Sequence, residues 1–148
     1  MSAMPHPAVA ATLAQWHRMI ASGDLGPLPA IVNADATFRS PMAFKAYHSA
    51  EAVIFILRTV FGIFRNFSYH RQLFSDDGLS VVLEFSAEVE GKQLKGIDLI
   101  RFDEQGRIAD FEVMIRPLNG LQALGVEMGK RVAGVLPAYK AAAADPAR

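Results

Sequence analysis

Apolar residues first recur at helical spacing. Val9, Leu13, Trp16 and Ile20 repeat at intervals of three and four between Ala8 and Ser22, after Pro5 and Pro7 and before Gly23. This predicts a helix with a proline start and a glycine stop. Asp24-Leu25-Gly26-Pro27-Leu28-Pro29 caps and opens a short second helix through Val32, and Asp35 to Pro41 alternates as a short strand closed by its proline. Ser49-Ala50-Glu51-Ala52 reads as a cap with its acid one position off the capping-box spacing. The apolar run Val53 to Phe67, bearing Arg58 and Arg65, reads as the main buried helix. The period then changes to two. Phe67 to Phe74 reads as a strand, Asp76-Asp77-Gly78 as a turn, and Val81, Leu83, Phe85, Ala87 and Val89 as one face of the next strand. Glu90-Gly91-Lys92 turns into a strand from Leu94 to Phe102, and Asp103-Glu104-Gln105-Gly106 into another from Ile108 to Arg116. Pro117 ends this meander. Leu118 to Tyr139 returns to helical spacing before an Ala-rich tail. Helices followed by hairpin-linked strands make an α+β pattern, with helices on one face of a curved antiparallel sheet.

Composition narrows this to a single domain over residues 1–148, with a core from about 8 to 140 and flexible ends. The chain is 51% hydrophobic and 20% charged, enough apolar material for one core and unlike a disordered chain. Fifteen Lys and Arg offset fifteen Asp and Glu, so the electrostatic footprint of a nucleic-acid or anionic-membrane binder is missing. The chain has no cysteine, which removes disulfides, thiolate nucleophiles and zinc-cysteine sites. The first residues carry no signal-type segment, and Arg58 and Gly62 break the densest apolar stretch. A soluble cytoplasmic protein is expected. No phosphate loop, zinc helix, acidic calcium loop or nucleophile elbow is present, so no cofactor and no metal are expected.

Three segments carry a family resemblance: Ala21-Ser22-Gly23-Asp24-Leu25, Asn33-Ala34-Asp35-Ala36-Thr37-Phe38-Arg39-Ser40-Pro41, and Gly96-Ile97-Asp98-Leu99-Ile100-Arg101-Phe102 with Gly106-Arg107-Ile108 after it. Over Ala8 to Pro117 the chain resembles the cystatin-like cone of the nuclear transport factor 2-like superfamily, which includes ketosteroid isomerases and SnoaL-like polyketide cyclases. The ending Val113-Met114-Ile115-Arg116-Pro117-Leu118 resembles a bacterial SnoaL-like subgroup. The resemblance places Asp98 where ketosteroid isomerases keep a protonated aspartic acid facing the developing oxyanion. It places Trp16 at the oxyanion-hole tyrosine and Ser40 at the aspartate general base, so one of those three residues is kept. A lone serine hydroxyl does not take a carbon-bound proton near neutral pH.

Asp98 stands mid-strand among Ile97, Leu99 and Ile100, where an unpaired carboxylate is costly and its pKa is expected to rise. Alternation separates Asp98 from Arg101 onto opposite faces. His48 and His70 are the candidate proton acceptors near neutral pH. His70 shares a strand face with Ser68 and Gln72, while Phe67, Tyr69, Arg71 and Leu73 occupy the other, and alternation leaves open which face is inward. Asp98, His70 and His48 are thus the candidate catalytic residues, each weighed against a purely structural or surface role. Trp16, Phe38, Ser40, Phe55, Phe85, Ile100, Phe111, Val113 and Ile115 are the candidate ligand contacts, with Phe64 and Met42 in the same aromatic and methionine-rich set. Phe111, Val113 and Ile115 share one face of the last strand. On its other face, Glu112, Met114 and Arg116 beside Arg101 suit a homodimer through the convex sheet surface.

The resulting expectation is a pocket for a small apolar carbonyl or polycyclic ligand, with cofactor-free proton transfer, cyclisation or dehydration as its chemistry. The rival is a non-catalytic ligand-binding or association domain. An epoxide hydrolase of the same scaffold needs two acids and an arginine in one pocket, and the inward face of the last strand offers no acid.

Overall fold

The computed structural model describes residues 3–132. Helix α1 spans Pro7–Ser22: the His6 imidazole accepts the Ala8 N–H at its start, and Gly23 ends it in the left-handed region with φ 76°. A 3-10 turn, Leu28–Ile31, leads into β1, Val32–Arg39. That strand begins earlier than alternation predicts, with Val32 paired to Ile108, and ends earlier, where Ser40 Oγ accepts the Met42 N–H at 3.0 Å and turns the chain at Pro41. Helix α2 spans Ala50–Ile63, with Ser49 capping the Ala52 N–H. It stops four residues before the expected Phe67. Phe64 is extended, and the Arg65 guanidinium donates to the Gly62 carbonyl at 3.2 Å and reaches those of Ile63 and Phe64 at the open end of the helix.

Four strands follow: β2, Arg65–Phe74; β3, Ser80–Val89; β4, Lys92–Phe102; and β5, Ile108–Arg116. Glu90 and Gly91 both have positive φ, 48° and 77°, so the β3–β4 turn twists with its strands. The sheet order is β1-β5-β4-β3-β2. The four sequential strands pair antiparallel as expected, but β1 joins β5 in parallel, so the sheet is mixed. The cause is α2, which separates β1 from β2 and carries the chain from one edge of the sheet to the other. Helix α3, Leu118–Val132, packs on α2 and on strands β3 to β5. The rest of the helix expected to Tyr139, and the Ala-rich tail, lie outside the described residues.

Val81, Leu83, Phe85, Ala87 and Val89 of β3 point inward with Leu94, Ile100 and Phe102 of β4, and all are buried against the helices. Phe85 pairs with Gly96, and its ring crosses that glycine: a Cβ there would lie 2.7 Å from Phe85 Cζ and 2.4 Å from the Met114 carbonyl oxygen. On the outer face Glu84 is held by Arg71 and Lys95, at 2.6 and 3.1 Å.

Candidate functional site

Asp98 projects from the inner face of β4 with only 3% of its surface exposed. Its partner is Tyr69 on β2, whose hydroxyl donates to Asp98 Oδ2 at 2.7 Å. Tyr69 pairs with Phe85 and Asp98 with Leu83, so both side chains stand on the same face across β3, and the long phenol bridges the gap. Trp16 Nε1 of α1 donates to the Tyr69 oxygen at 3.0 Å. An indole N–H can only donate, so the single Tyr69 proton is directed to Asp98. Burial raises the Asp98 pKa to about 7, against the opposing effect of the Tyr69 hydrogen bond. Burial and the adjacent carboxylate push the Tyr69 phenol well above its ordinary value. His17 packs edge-on against the Tyr69 ring, with centroids 5.3 Å apart, from the same helix as Trp16.

Asp98 lines a cavity of about 40 Å³. Phe38, Ser40, Pro41 and Met42 form one wall, α2 another through Ile56, Leu57, Val60 and Phe61 with Phe64 just after it, and the sheet a third through Phe85, Val113 and Ile115; Leu124 and Met128 of α3 close it. Among these lining residues Asp98 is the single ionisable side chain and Ser40 the one other polar side chain. Ser40 Oγ already accepts from Met42, which leaves its own hydrogen to donate. Met42 runs so close to α3 that a Cβ on Gly125 would lie 2.4 Å from its Cε.

The structure therefore brings Asp98, Phe38, Ser40, Phe85, Val113 and Ile115 together around one space. Trp16 is buried behind it and spends its N–H on Tyr69. Phe111 stacks on Phe38 and meets Trp16 at a tilt, Ile100 is buried in the core, and Phe55 packs against that core from α2; none of the three lines the cavity. The two histidines are elsewhere. His48 is exposed and bonded to Thr37 Oγ1, and His70 is exposed on the outer sheet face, bonded to Ser86 Oγ at 2.8 Å. Neither lines the Asp98 cavity or bonds to Asp98, whereas the sequence offers both as proton acceptors beside it. For His70 the cause is alternation from the inward Tyr69, and a bulge then affects the next residue. Between the pairs Tyr69–Phe85 and Gln72–Leu83, His70 and Arg71 both stand opposite Glu84, and Arg71 is turned outward onto that acid. Strict alternation would have kept Arg71 beside Tyr69. Tyr69 is the residue that sequence reasoning missed; its shared face with Phe67 was the available signal. Among the described residues no cluster of three or more His, Asp or Glu could hold a metal ion, and no helix is long and apolar enough to cross a membrane.

Comparison with known proteins matches residues 13–111 to the model of the SnoaL-like domain. A structure described as a steroid delta-isomerase from Pseudomonas aeruginosa is 59% identical, with a TM-score of 0.87, covering 92% of this chain and 99% of that one. A conserved bacterial protein with a cystatin-like fold from Silicibacter pomeroyi is 31% identical, with a TM-score of 0.80, covering 91% and 93%. The epoxide hydrolase/cyclase-like enzyme SalBIII, of pyran ring formation in salinomycin, shares the fold at 16% identity and a TM-score of 0.59, covering 73% and 89%. A search of curated protein sequences found no match.

Proposed function

Because this chain belongs to the SnoaL-like family, we propose that its cavity binds a small, largely apolar carbonyl compound and that Asp98 moves a proton on it without a cofactor. The observation that carries this reading is a single buried carboxyl with a pKa of about 7 in an otherwise apolar space. Near neutral pH both of its forms are populated, which suits a group that must accept a proton and return it. In the ionised form Asp98 takes a hydrogen from the carbon beside the carbonyl. That C–H bond breaks, an O–H bond forms on Asp98, and the electron pair moves onto the carbonyl oxygen, where the Ser40 hydroxyl can donate. Protonated Asp98 then returns the proton to the same carbon or to another along the conjugated system. The Trp16–Tyr69 chain holds Oδ2, leaving Oδ1 to carry the proton. The steroid delta-isomerase description of the 59% identical structure supports proton transfer beside a carbonyl. A cavity of about 40 Å³ has room for roughly three waters, so a ring-sized ligand requires side chains to yield.

Solvent deuterium exchange tests the reading directly. Cyclic ketones such as 2-tetralone should exchange their α-hydrogens in D2O faster with the protein, with an inflection near pH 7. Asp98→Asn should lose at least about 100-fold, the usual worth of a general base. Exchange that Asp98→Asn leaves unchanged would refute it.

The outer sheet face supports a second proposal, a two-fold dimer. Met114 is 45% exposed beside Ile97, within a surface formed by Arg71, Glu84, Lys95 and Arg116. Both charge signs flank an apolar centre, so a second copy related by a two-fold axis can meet opposite charges. This face is also where the non-catalytic association reading would act.

A further inference from the structure

Two voids share a wall. Phe61 and Phe64 line the Asp98 cavity on one side and, on the other, a cleft of about 410 Å³ between the end of α1, the Leu25–Gly26 turn and α2. Phe61 meets its neighbours edge-on, with ring centroids 5.7 Å from Trp16, 5.8 Å from Phe64 and 5.0 Å from Phe67. Arg58 lies one turn before Phe61 on the same helix, and so on the same side of it. Its Nε donates to the Leu25 carbonyl at 3.2 Å and one terminal nitrogen to that of Gly26 at 3.0 Å, which fixes the guanidinium at the cleft wall. Those two bonds use two of its five N–H groups. Arg58 has no carboxylate within ion-pair distance among the described residues, and the cleft lining contains no acid.

The geometry points to this cleft as the anion-reading entrance of the Asp98 cavity, and to an amphipathic acid as the ligand: an apolar ring body with an oxygen function at one end and a carboxylate at the other. The carboxylate sits on Arg58, the body parts the edge-on contact between Phe61 and Phe64, and the oxygen reaches Asp98. The inference rests on the proposed role of Asp98 and adds the class of molecule that role serves. Size argues for it. The inner cavity is about tenfold smaller than the cleft, so a bicyclic body cannot lie wholly within it, and the adjoining cleft has room for the remainder. Charge argues for it as well, because an unneutralised guanidinium beside aromatic rings favours a planar carboxylate over a neutral group.

Equilibrium binding at pH 7.5, followed by ligand fluorescence, separates the two levels of the argument. The probes are 2-naphthol and 6-hydroxy-2-naphthoate, which differ in a carboxylate opposite the hydroxyl. The wild type should prefer the naphthoate by about tenfold, a preference that salt reduces. Arg58→Gln, whose amide still donates to the turn carbonyls, should abolish the preference while leaving naphthol binding within about twofold. Arg58→Lys should restore part of it, which a merely loosened turn would not allow. Equal binding of the two probes by the wild type, or a preference that Arg58→Gln keeps, overturns the entrance. If naphthol binding still depends on Asp98 in that case, the cavity reading survives alone. Binding of neither probe overturns both.

Discussion

Ionising Asp98 inside the folded chain places a charge where water does not reach, and the pKa of about 7 expresses that penalty. In the unfolded chain the group ionises near 3.8. Below that value it is neutral in both states and its contribution to stability is fully present. As pH rises from about 4 to about 7 the unfolded state alone releases the proton, so stability falls by about 1.4 kcal/mol per pH unit from this group, then levels off. Thermal unfolding of Asp98→Asn between pH 4.5 and 8.5 should lack this slope, leaving the variant more stable than wild type above pH 7. Parallel profiles would mean that the carboxyl is not desolvated. Tyr69→Phe removes a hydrogen bond that favours the carboxylate, so the inflection in wild-type activity or binding should move upward in pH. It also strands the Trp16 N–H, at a cost of about 1–3 kcal/mol in urea unfolding.

At the scale of elements, the site depends on two departures from regular strand geometry. The bulge at His70 and Arg71 turns Arg71 away while Tyr69 stays inside. Gly96 lets the Phe85 ring lie over β4 without a Cβ beneath it. Gly96→Ala would bring a methyl to 2.4 Å from the Met114 backbone oxygen, which belongs to a paired strand and cannot withdraw easily. We expect a loss of about 1–3 kcal/mol in urea unfolding. Ligand affinity should fall with it, because Phe85 is displaced into the cavity. Gly125→Ala is the contrasting case. Its Cβ would meet the flexible end of Met42 rather than backbone, so stability should change little, while the displaced Met42, which lines the cavity, should weaken ligand affinity, as an equilibrium titration would report.

At the largest scale, the arrangement that matters among the described residues is three helices on one face of a mixed sheet, with α3 closing the space around Asp98. Closing the inner face leaves Met114 and Ile97 on the outer one. Sedimentation equilibrium of the wild type should give a dimer, and Met114→Glu with Arg116→Glu should give a folded monomer, since these side chains lie outside the core. A monomeric wild type at tens of micromolar would refute the dimer. Monomeric variants that keep the exchange activity would separate the sheet face from the chemistry of the cavity.

Elements were largely legible in the sequence because each expresses a local period: α1 from its three-and-four spacing, β3 to β5 from alternation and Gly-containing turns, and Asp98 from the cost of a carboxylate among Ile97, Leu99 and Ile100. Its membership of the SnoaL-like family was legible in the same segments. Tertiary structure decided what depends on pairing between distant residues. The end of α2 at Ile63 was settled by Arg65 reaching back to free carbonyls, and the parallel pairing of β1 with β5 by the crossing of α2. The recruitment of inward-facing Tyr69 to Asp98 leaves neighbouring His70 on the outer face, a bulge then turns Arg71 outward as well, and His48 lies on the loop before α2, bonded to Thr37. A period of two identifies residues that share a face, but only contact with helices and neighbouring strands decides which face is inside and where the alternation breaks.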